Sequence, residues 1–290
     1  MGCINEITGH TKLTGLLGSP VAHSKSPLMH NEAFKELGLD YVYLCFDVPE
    51  NNLKTAFEGL KKLNVAGFNC TMPDKTLICE LVDELSPAAS MIGAVNTVVN
   101  DNGKYIGHNT DGIGYMQSVK DAGYNIIGEN MTLLGAGGAA SSILVQAALD
   151  GVKSINVFSL KDRFWGKAEK MVDAVNNNTD CNVTLYELGN DSELADSIAN
   201  SKILTNATSV GMAPNTDNCI IPDKSMLSKD LIVSDIIYNP METKLIKMAK
   251  EQGCNTFNGL YMLLYQGAEA FKIWTGKDMP VEHIKKLYFD

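Results

Sequence analysis

Apolar and polar positions run along this chain in two alternating rhythms. K-L-T-G-L-L-G from Lys12 and Y-V-Y-L-C-F-D-V from Tyr41 are rich in β-branched and aromatic residues and read as strands. Between them, Ser26-Pro27 precedes L-M-H-N-E-A-F-K-E-L-G, where a proline at the first helical position and Gly38 as terminator bracket a helix. N-L-K-T-A-F-E-G-L-K-K-L then carries apolar residues at helical spacing ahead of V-A-G-F-N-C-T. Strands and helices in this order predict a mostly parallel sheet covered by helices.

A second series starts at Met131, where M-T-L-L-G-A-G-G-A-A reads as strand, glycine turn and a helix through Ala148. S-I-N-V-F-S, K-I-L-T-N-A-T-S and L-I-V-S-D-I-I-Y follow as strands, and L-Y-M-L-L-Y-Q-G-A-E-A-F-K-I-W-T-G as an amphipathic helix ending at Gly276. The expected class is α/β with two domains. An N-terminal domain with a mostly parallel sheet takes residues 1–112 plus 259–290, and a Rossmann-type doubly wound domain takes 113–258. The connection between them falls near Asn109 to Gly123.

Composition narrows the function. The 290 residues suffice for two domains, and 45% hydrophobic with 20% charged residues describes an ordinary globular core. A net charge of −10 argues against a nucleic-acid partner, which needs clustered Lys and Arg. There is no basic amphipathic tract and no apolar run of about 18 residues, so no membrane contact is expected. The start, M-G-C-I-N-E-I-T-G-H, lacks the pattern of a signal peptide, and Glu6 stands where a myristoylation motif needs Ser or Thr. Seven scattered cysteines, Cys3 among them, with no C-x-x-C pair fit reduced thiols in a cytoplasm. Five isolated histidines without H-E-x-x-H argue against a metal site.

The chemistry concentrates in two places. In G-A-G-G-A-A, Gly135 permits a tight turn, Gly137 lets the backbone approach a pyrophosphate, and Ala140 takes the third glycine position. The helix that follows presents unpaired N–H groups and a positive dipole end to phosphate; the ligand-free alternative is a sharp strand-to-helix turn. Past the next strand, Asp162 stands at the distance where an acidic side chain takes the ribose hydroxyls of NAD, but Lys161 and Arg163 flank it, as NADP would require. The other place is N-C-T-M-P-D-K, where Lys75 is either a solvated surface charge or an acid–base group.

Read together, the motifs G-S-P-V-A-H-S-K-S-P, N-C-T-M-P-D-K, G-A-V-N-T-V, G-H-N-T-D-G, G-A-G-G-A, N-A-T-S-V-G-M, Y-N-P and G-L-Y-M-L-L-Y-Q-G-A occur in an order that resembles the shikimate dehydrogenases, from about Leu13 to Lys285. The chain looks most like their quinate/shikimate dehydrogenase branch. The resemblance implies a polyol-binding cleft between the domains and interconversion of shikimate with 3-dehydroshikimate, and of quinate with 3-dehydroquinate. It implies that Ser24 and Ser26 hold the substrate carboxylate with Tyr238 nearby. Asn69, Thr71, Asn96 and Gln266 contact ring hydroxyls, and Lys75 and Asp111 flank the hydroxyl that is oxidised. Gly135, Ala136, Gly137, Gly138, Ala139, Ser159, Lys161, Asp162, Asn206, Thr208, Met212 and Gly259 line the cofactor, NAD with NADP as the alternative. No metal is implied, and a homodimer is compatible.

Two departures matter. Asp74 stands where the family often has His, and Ser159-Leu160-Lys161 replaces the N-R-T of NADP-type members. Loss of that Arg removes a bidentate phosphate clamp and favours NAD. Taken singly, Asp111 also suits a helix cap, Ser24 and Ser26 suit turn hydroxyls, Tyr238 suits a core position, and Asn96 suits internal hydrogen bonding. An unperturbed lysine is protonated at pH 7, so Lys75 starts in the correct state to protonate a ketone. The competing functions are a strictly NADP-dependent biosynthetic dehydrogenase and a non-catalytic shikimate or quinate sensor.

Overall fold

A computed structural model describes residues 6–289. Cys3 and the Gly2–Cys3 pair lie outside the described residues. Among those residues no helix is long and apolar enough to cross a membrane, and no cluster of His, Cys, Asp and Glu is placed to hold a metal ion. Cys45, Cys70, Cys181, Cys219 and Cys254 are free thiols. The chain forms two compact units, residues 1–110 with 264–290 and residues 111–263. The division thus falls before Asp111 and after Leu263, against the sequence boundaries after residue 112 and before 259.

The first unit opens with β1 (Lys12–Gly18), α1 (Ser26–Glu36), β2 (Tyr41–Asp47), α2 (Leu53–Lys62), β3 (Gly67–Cys70), β4 (Glu84–Leu85), α3 (Pro87–Ile92), β5 (Thr97–Asp101) and β6 (Lys104–His108). Pro27 lies in the first turn of α1, and Gly38 ends it at φ +61°, the left-handed conformation that a helix terminator needs. The six strands lie in the order β2-β1-β3-β5-β6-β4, and only β5 runs against its neighbours. The sequence expectation of a mostly parallel sheet passes over this β5–β6 hairpin. Its turn is Asn102-Gly103, with φ of +52° and +95° between Asp101 and Lys104, the paired positive φ of a tight two-residue hairpin. Leu17, Phe57, Phe68, Val98 and Tyr105 anchor the core.

The second unit continues with α4 (Asp111–Asp121), β7 (Asn130–Leu134), α5 (Gly138–Leu149), β8 (Ser154–Ser159), α6 (Trp165–Asn178), β9 (Asn182–Glu187), α7 (Asp191–Ala199), β10 (Ile203–Asn206), β11 (Ile232–Asp235), α8 (Lys244–Glu251) and β12 (Asn255–Asn258). The strands are all parallel, in the order β9-β8-β7-β10-β11-β12. This is the doubly wound order, with its reversal between β7 and β10, where such sheets bind ligands beyond the carboxyl ends of the strands. The central strands are buried from end to end, as a sheet covered on both faces requires. Leu134, Leu204 and Val233 pack with Leu194, Ile198 and Leu245 of α7 and α8. α9 (Leu260–Thr275) carries the chain back into the first unit, and α10 (Val281–Tyr288) completes that unit.

Candidate active site

In the first unit, the polar residues singled out by sequence meet around the carboxyl end of β3. Tyr43 Oη donates to Asn69 Oδ1 at 2.8 Å, and Asn69 Nδ2 donates to the Asn96 carbonyl and to Thr97 Oγ1, both at 3.0 Å. Asn96 Oδ1 accepts from the Thr110 N–H at 2.8 Å and from Thr97 Oγ1 at 3.0 Å. Asn96 Nδ2 donates to Thr110 Oγ1 at 3.0 Å and reaches Gln266 Oε1 at 3.5 Å. Asn69 and Asn96 are therefore braced internally, and the hydrogen-bonding alternative for Asn96 holds alongside any ligand contact. The same network fixes their amide orientations.

Ser24 and Ser26 stand at the start of α1, where the Ser26 N–H donates to Ser24 Oγ at 3.2 Å. Burial pushes the Tyr43 hydroxyl well above its ordinary pKa, with the Cys45 charge adding to it, so it stays a donor. Tyr43, Thr97 and Thr110 are members of the cluster that sequence reasoning missed. The signal available for Tyr43 was a tyrosine within an apolar strand, since a buried phenol must place its hydroxyl on a partner.

Behind Tyr43 lies His30, fully buried, with its ring 4.5 Å from the phenol and stacked at 18°. Phe34, Phe271 and Trp274 enclose the rest of it, and neither ring nitrogen has a hydrogen-bond partner. Burial lowers its pKa to about 3. The imidazole is neutral at any ordinary pH.

Lys75 follows β3 by way of Thr71, whose N–H bonds the Leu17 carbonyl at 2.9 Å. The Thr71 carbonyl accepts from the Asp74 N–H at 2.9 Å, and the Lys75 carbonyl accepts from Val95 at 2.7 Å. The lysine is half-buried and its backbone is tied down on both sides, which does not describe a flexible surface lysine. Asp74 is fully buried, yet neither carboxyl oxygen has a partner. Burial and the Glu50 charge raise its pKa. Asp74 and Lys75 are sequence neighbours without being an ion pair.

In the second unit, β7 runs into Gly135 at φ +106°, where a Cβ would stand 3.0 Å from the Ala207 carbonyl and from the Thr208 methyl. A side chain there would be strained by the positive φ and crowded against both neighbours. Gly137 and Gly138 face open space, with no atom within 4 Å of where a Cβ would stand. With Ala136 and Ala139 they form a cradle in which phosphate can approach the first N–H groups of α5. These residues fit a dinucleotide.

Past β8 and Ser159, Asp162 Oδ1 accepts from the Phe164 N–H at 2.8 Å. Lys161 Nζ sits 3.9 Å from Glu187 Oε2 and 5.6 Å from the Trp165 ring centre, and Arg163 lies over Phe164. Across the sheet reversal, Asn206 Oδ1 accepts from Thr208 N–H at 3.1 Å and from Thr208 Oγ1 at 2.7 Å, and Met212 is 46% exposed at the end of that loop. Tyr238 is 45% exposed, which removes the core-aromatic alternative. A Cβ on Gly259 would stand 1.8 Å from the Ile236 carbonyl, so close backbone packing explains that glycine whether or not a ligand lies near. Asp111 is the first residue of α4.

Known proteins bear on both units. Residues 16–98 match the family described as the shikimate dehydrogenase substrate binding domain, and residues 259–287 match the shikimate 5'-dehydrogenase C-terminal domain. The chain is 54% identical over 284 residues to the shikimate dehydrogenase (NADP(+)) of Listeria monocytogenes serotype 4b (strain F2365), covering 98% of both. Its structure is similar to that of shikimate 5-dehydrogenase from Listeria monocytogenes in complex with shikimate and NAD, at TM-score 0.95, 54% identity and 98% coverage of each chain. It is also similar to quinate dehydrogenase from Corynebacterium glutamicum in complex with NAD, at TM-score 0.83 and 31% identity over 95% of this chain and 98% of that one.

Proposed function

We infer the reaction from one premise: this chain belongs to the shikimate dehydrogenase family. It is an oxidoreductase that interconverts shikimate and 3-dehydroshikimate with a nicotinamide cofactor, acting on a CH–OH group. The observation that carries this reading is 54% identity across 98% of the chain. The two halves of the required chemistry, the polar cluster and the glycine cradle, support it.

When bound, the nicotinamide accepts or delivers the hydride. The chain's own residues bind, orient and handle the proton. Ser24 and Ser26 hold the carboxylate, and Asn69, Thr71, Asn96 and Gln266 take ring hydroxyls. The Tyr43–Asn69–Asn96–Thr110 network keeps these donors and acceptors oriented before substrate arrives, which is how binding energy becomes positioning. Lys75 donates a proton to the forming alkoxide in the reductive direction and takes one in the oxidative direction, with Asp111 as its partner at the hydroxyl. Tyr238 is exposed on a loop, and we assign it to the substrate carboxylate.

Gly135 to Ala139 hold the pyrophosphate, and Asn206, Thr208, Met212 and Gly259 line the nicotinamide side. We place the adenosine ribose at Ser159, Lys161 and Asp162 and assign a preference for NAD. Lys161 Nζ lies 3.9 Å from Glu187 Oε2 and over the Trp165 ring, so a 2′-phosphate would compete with a neighbouring carboxylate for its charge. Glu187 adds an anion beside Lys161, which disfavours a further phosphate there.

Quinate differs by an added hydroxyl at the carbon bearing the carboxylate, and we assign it as a second substrate on the likeness to the Corynebacterium glutamicum quinate dehydrogenase, since the small Ser24 and Ser26 neither exclude nor require it. The test is initial rates on shikimate and on quinate, each with NAD and with NADP. Turnover of both acids mainly with NAD is expected. Shikimate turnover with NADP alone would reverse both finer assignments, and binding without turnover would make the protein a sensor.

A further inference from the structure

At the carboxyl ends of β10 and β11, one buried carboxylate fastens two loops. We propose that Asp235 is a positioning residue for the cofactor: it locks the Asn206–Met212 loop in its binding shape before the nicotinamide dinucleotide arrives. This rests on the reading of that loop as part of the cofactor site.

Asp235 is fully buried. Oδ1 accepts from Asn206 Nδ2 and from the Ile237 N–H, both at 3.1 Å, and Oδ2 accepts from Thr243 Oγ1 at 2.7 Å. The donors come from three different stretches: the end of β10, the loop after β11, and the N-cap of α8, where Thr243 Oγ1 also accepts from the Ile246 N–H. Burial raises the pKa of this carboxylate, the three converging donors oppose that rise, and removing the carboxyl group would leave those donors without an acceptor.

The consequence reaches the glycine turn through the polarity of one amide. An ionised carboxylate only accepts, so it compels Asn206 to present Nδ2 to Asp235 and Oδ1 to the opposite side. Oδ1 then accepts from the Thr208 N–H and hydroxyl, Nδ2 also reaches the Val210 carbonyl at 3.3 Å, and Thr208 Oγ1 accepts from the Val210 N–H at 3.1 Å. The loop so wound places the Thr208 methyl and Ala207 carbonyl against Gly135. Reversing the Asn206 amide would break the bonds to Thr208 and Val210 together. The charge on Asp235 therefore sets the loop conformation without touching the cofactor.

The experiment is calorimetric titration of NAD into the full-length wild type, Asp235→Asn and Thr243→Val, with the thermal midpoint of each. Both variants perturb the bond between residues 235 and 243, so both lower the midpoint. Only Asp235→Asn removes the charge that orients Asn206. NAD binding tenfold or more weaker in Asp235→Asn, and within twofold of wild type in Thr243→Val, is expected. Equal affinity in Asp235→Asn and wild type overturns the proposal, as does equal weakening in both variants. Wild type that binds neither NAD nor NADP removes the cofactor reading itself, and the proposal with it. Hydrogen exchange supplies a variant-free check. In the wild type without NAD, the Thr208 and Val210 amides are expected to be protected, and exchange at the unprotected rate would mean that no pre-locked loop exists.

Discussion

Asp74 and Lys75 are adjacent, and their environments separate them. Lys75 is half-buried on a backbone held by hydrogen bonds at both ends, while the Asp74 carboxyl is enclosed without a partner. Lys75→Met is expected to lower kcat by roughly 10²- to 10⁴-fold, the range for a general acid–base group, with an unchanged thermal midpoint; a drop below tenfold in initial rates would remove Lys75 from the proton transfer. His30 titrates with stability. Its folded pKa of about 3 lies below the ordinary 6.5, so the unfolded chain binds the extra proton. Its contribution is complete above pH 6.5 and is lost as pH falls towards 3, about 2 kcal/mol by pH 5. Urea midpoints measured from pH 7 to 4 are expected to fall less steeply in His30→Phe, which fits the same aromatic box without nitrogens that lack partners. Asp74 acts in the opposite sense, because its raised pKa makes the native state the better proton binder. Lys75, Ser26 and Asn96 could be singled out in the sequence because each interrupts an apolar pattern or sits in a motif. The burial of Asp74 and His30, and the part played by Tyr43, could not, because they depend on which side chains from distant segments close over them.

Elements were legible where a local rule marks them. Pro27 and Gly38 bracket α1, and the glycine turn between β7 and α5 falls where the switch from strand to helical pattern puts it. The β5–β6 hairpin carried an Asn-Gly signal that went unread inside an otherwise parallel pattern. The strand order followed from no local rule, since it depends on which crossover packs on which face. At this scale the glycine turn is testable. Gly135→Ala forces a side chain onto φ +106° and against the Ala207 carbonyl. The conformational penalty is about 1–2 kcal/mol, and the cofactor KM is expected to rise in steady-state kinetics while the KM for shikimate changes little. The proposed preference for NAD is testable at the β9 edge. Glu187→Gln releases Lys161 and removes an anion, and is expected to raise kcat/KM with NADP by several-fold relative to NAD; an unmoved ratio would place the 2′-phosphate elsewhere.

Two units with separate cores, Leu17, Phe57 and Phe68 in one and Leu134, Leu204 and Val233 in the other, give the whole molecule more than one unfolding process to report. A ligand that binds native protein stabilises what it binds, by about 2.7 kcal/mol at a hundred times its Kd. NAD alone is therefore expected to slow exchange across residues 111–263, most strongly near Gly137 and Thr208, where the open cradle and the Asn206 loop lie. Shikimate alone is expected to slow it around Tyr43, Asn69 and Asn96, which share one hydrogen-bond network in the first unit. Hydrogen exchange read by mass spectrometry on the full chain distinguishes the two patterns. Protection by NAD confined to β2 and β3 would assign the nucleotide to the wrong unit. A shikimate footprint that also reaches the start of α4 at Asp111 and the loop at Tyr238 is expected from their assigned roles, and its absence there would remove both residues from the substrate site.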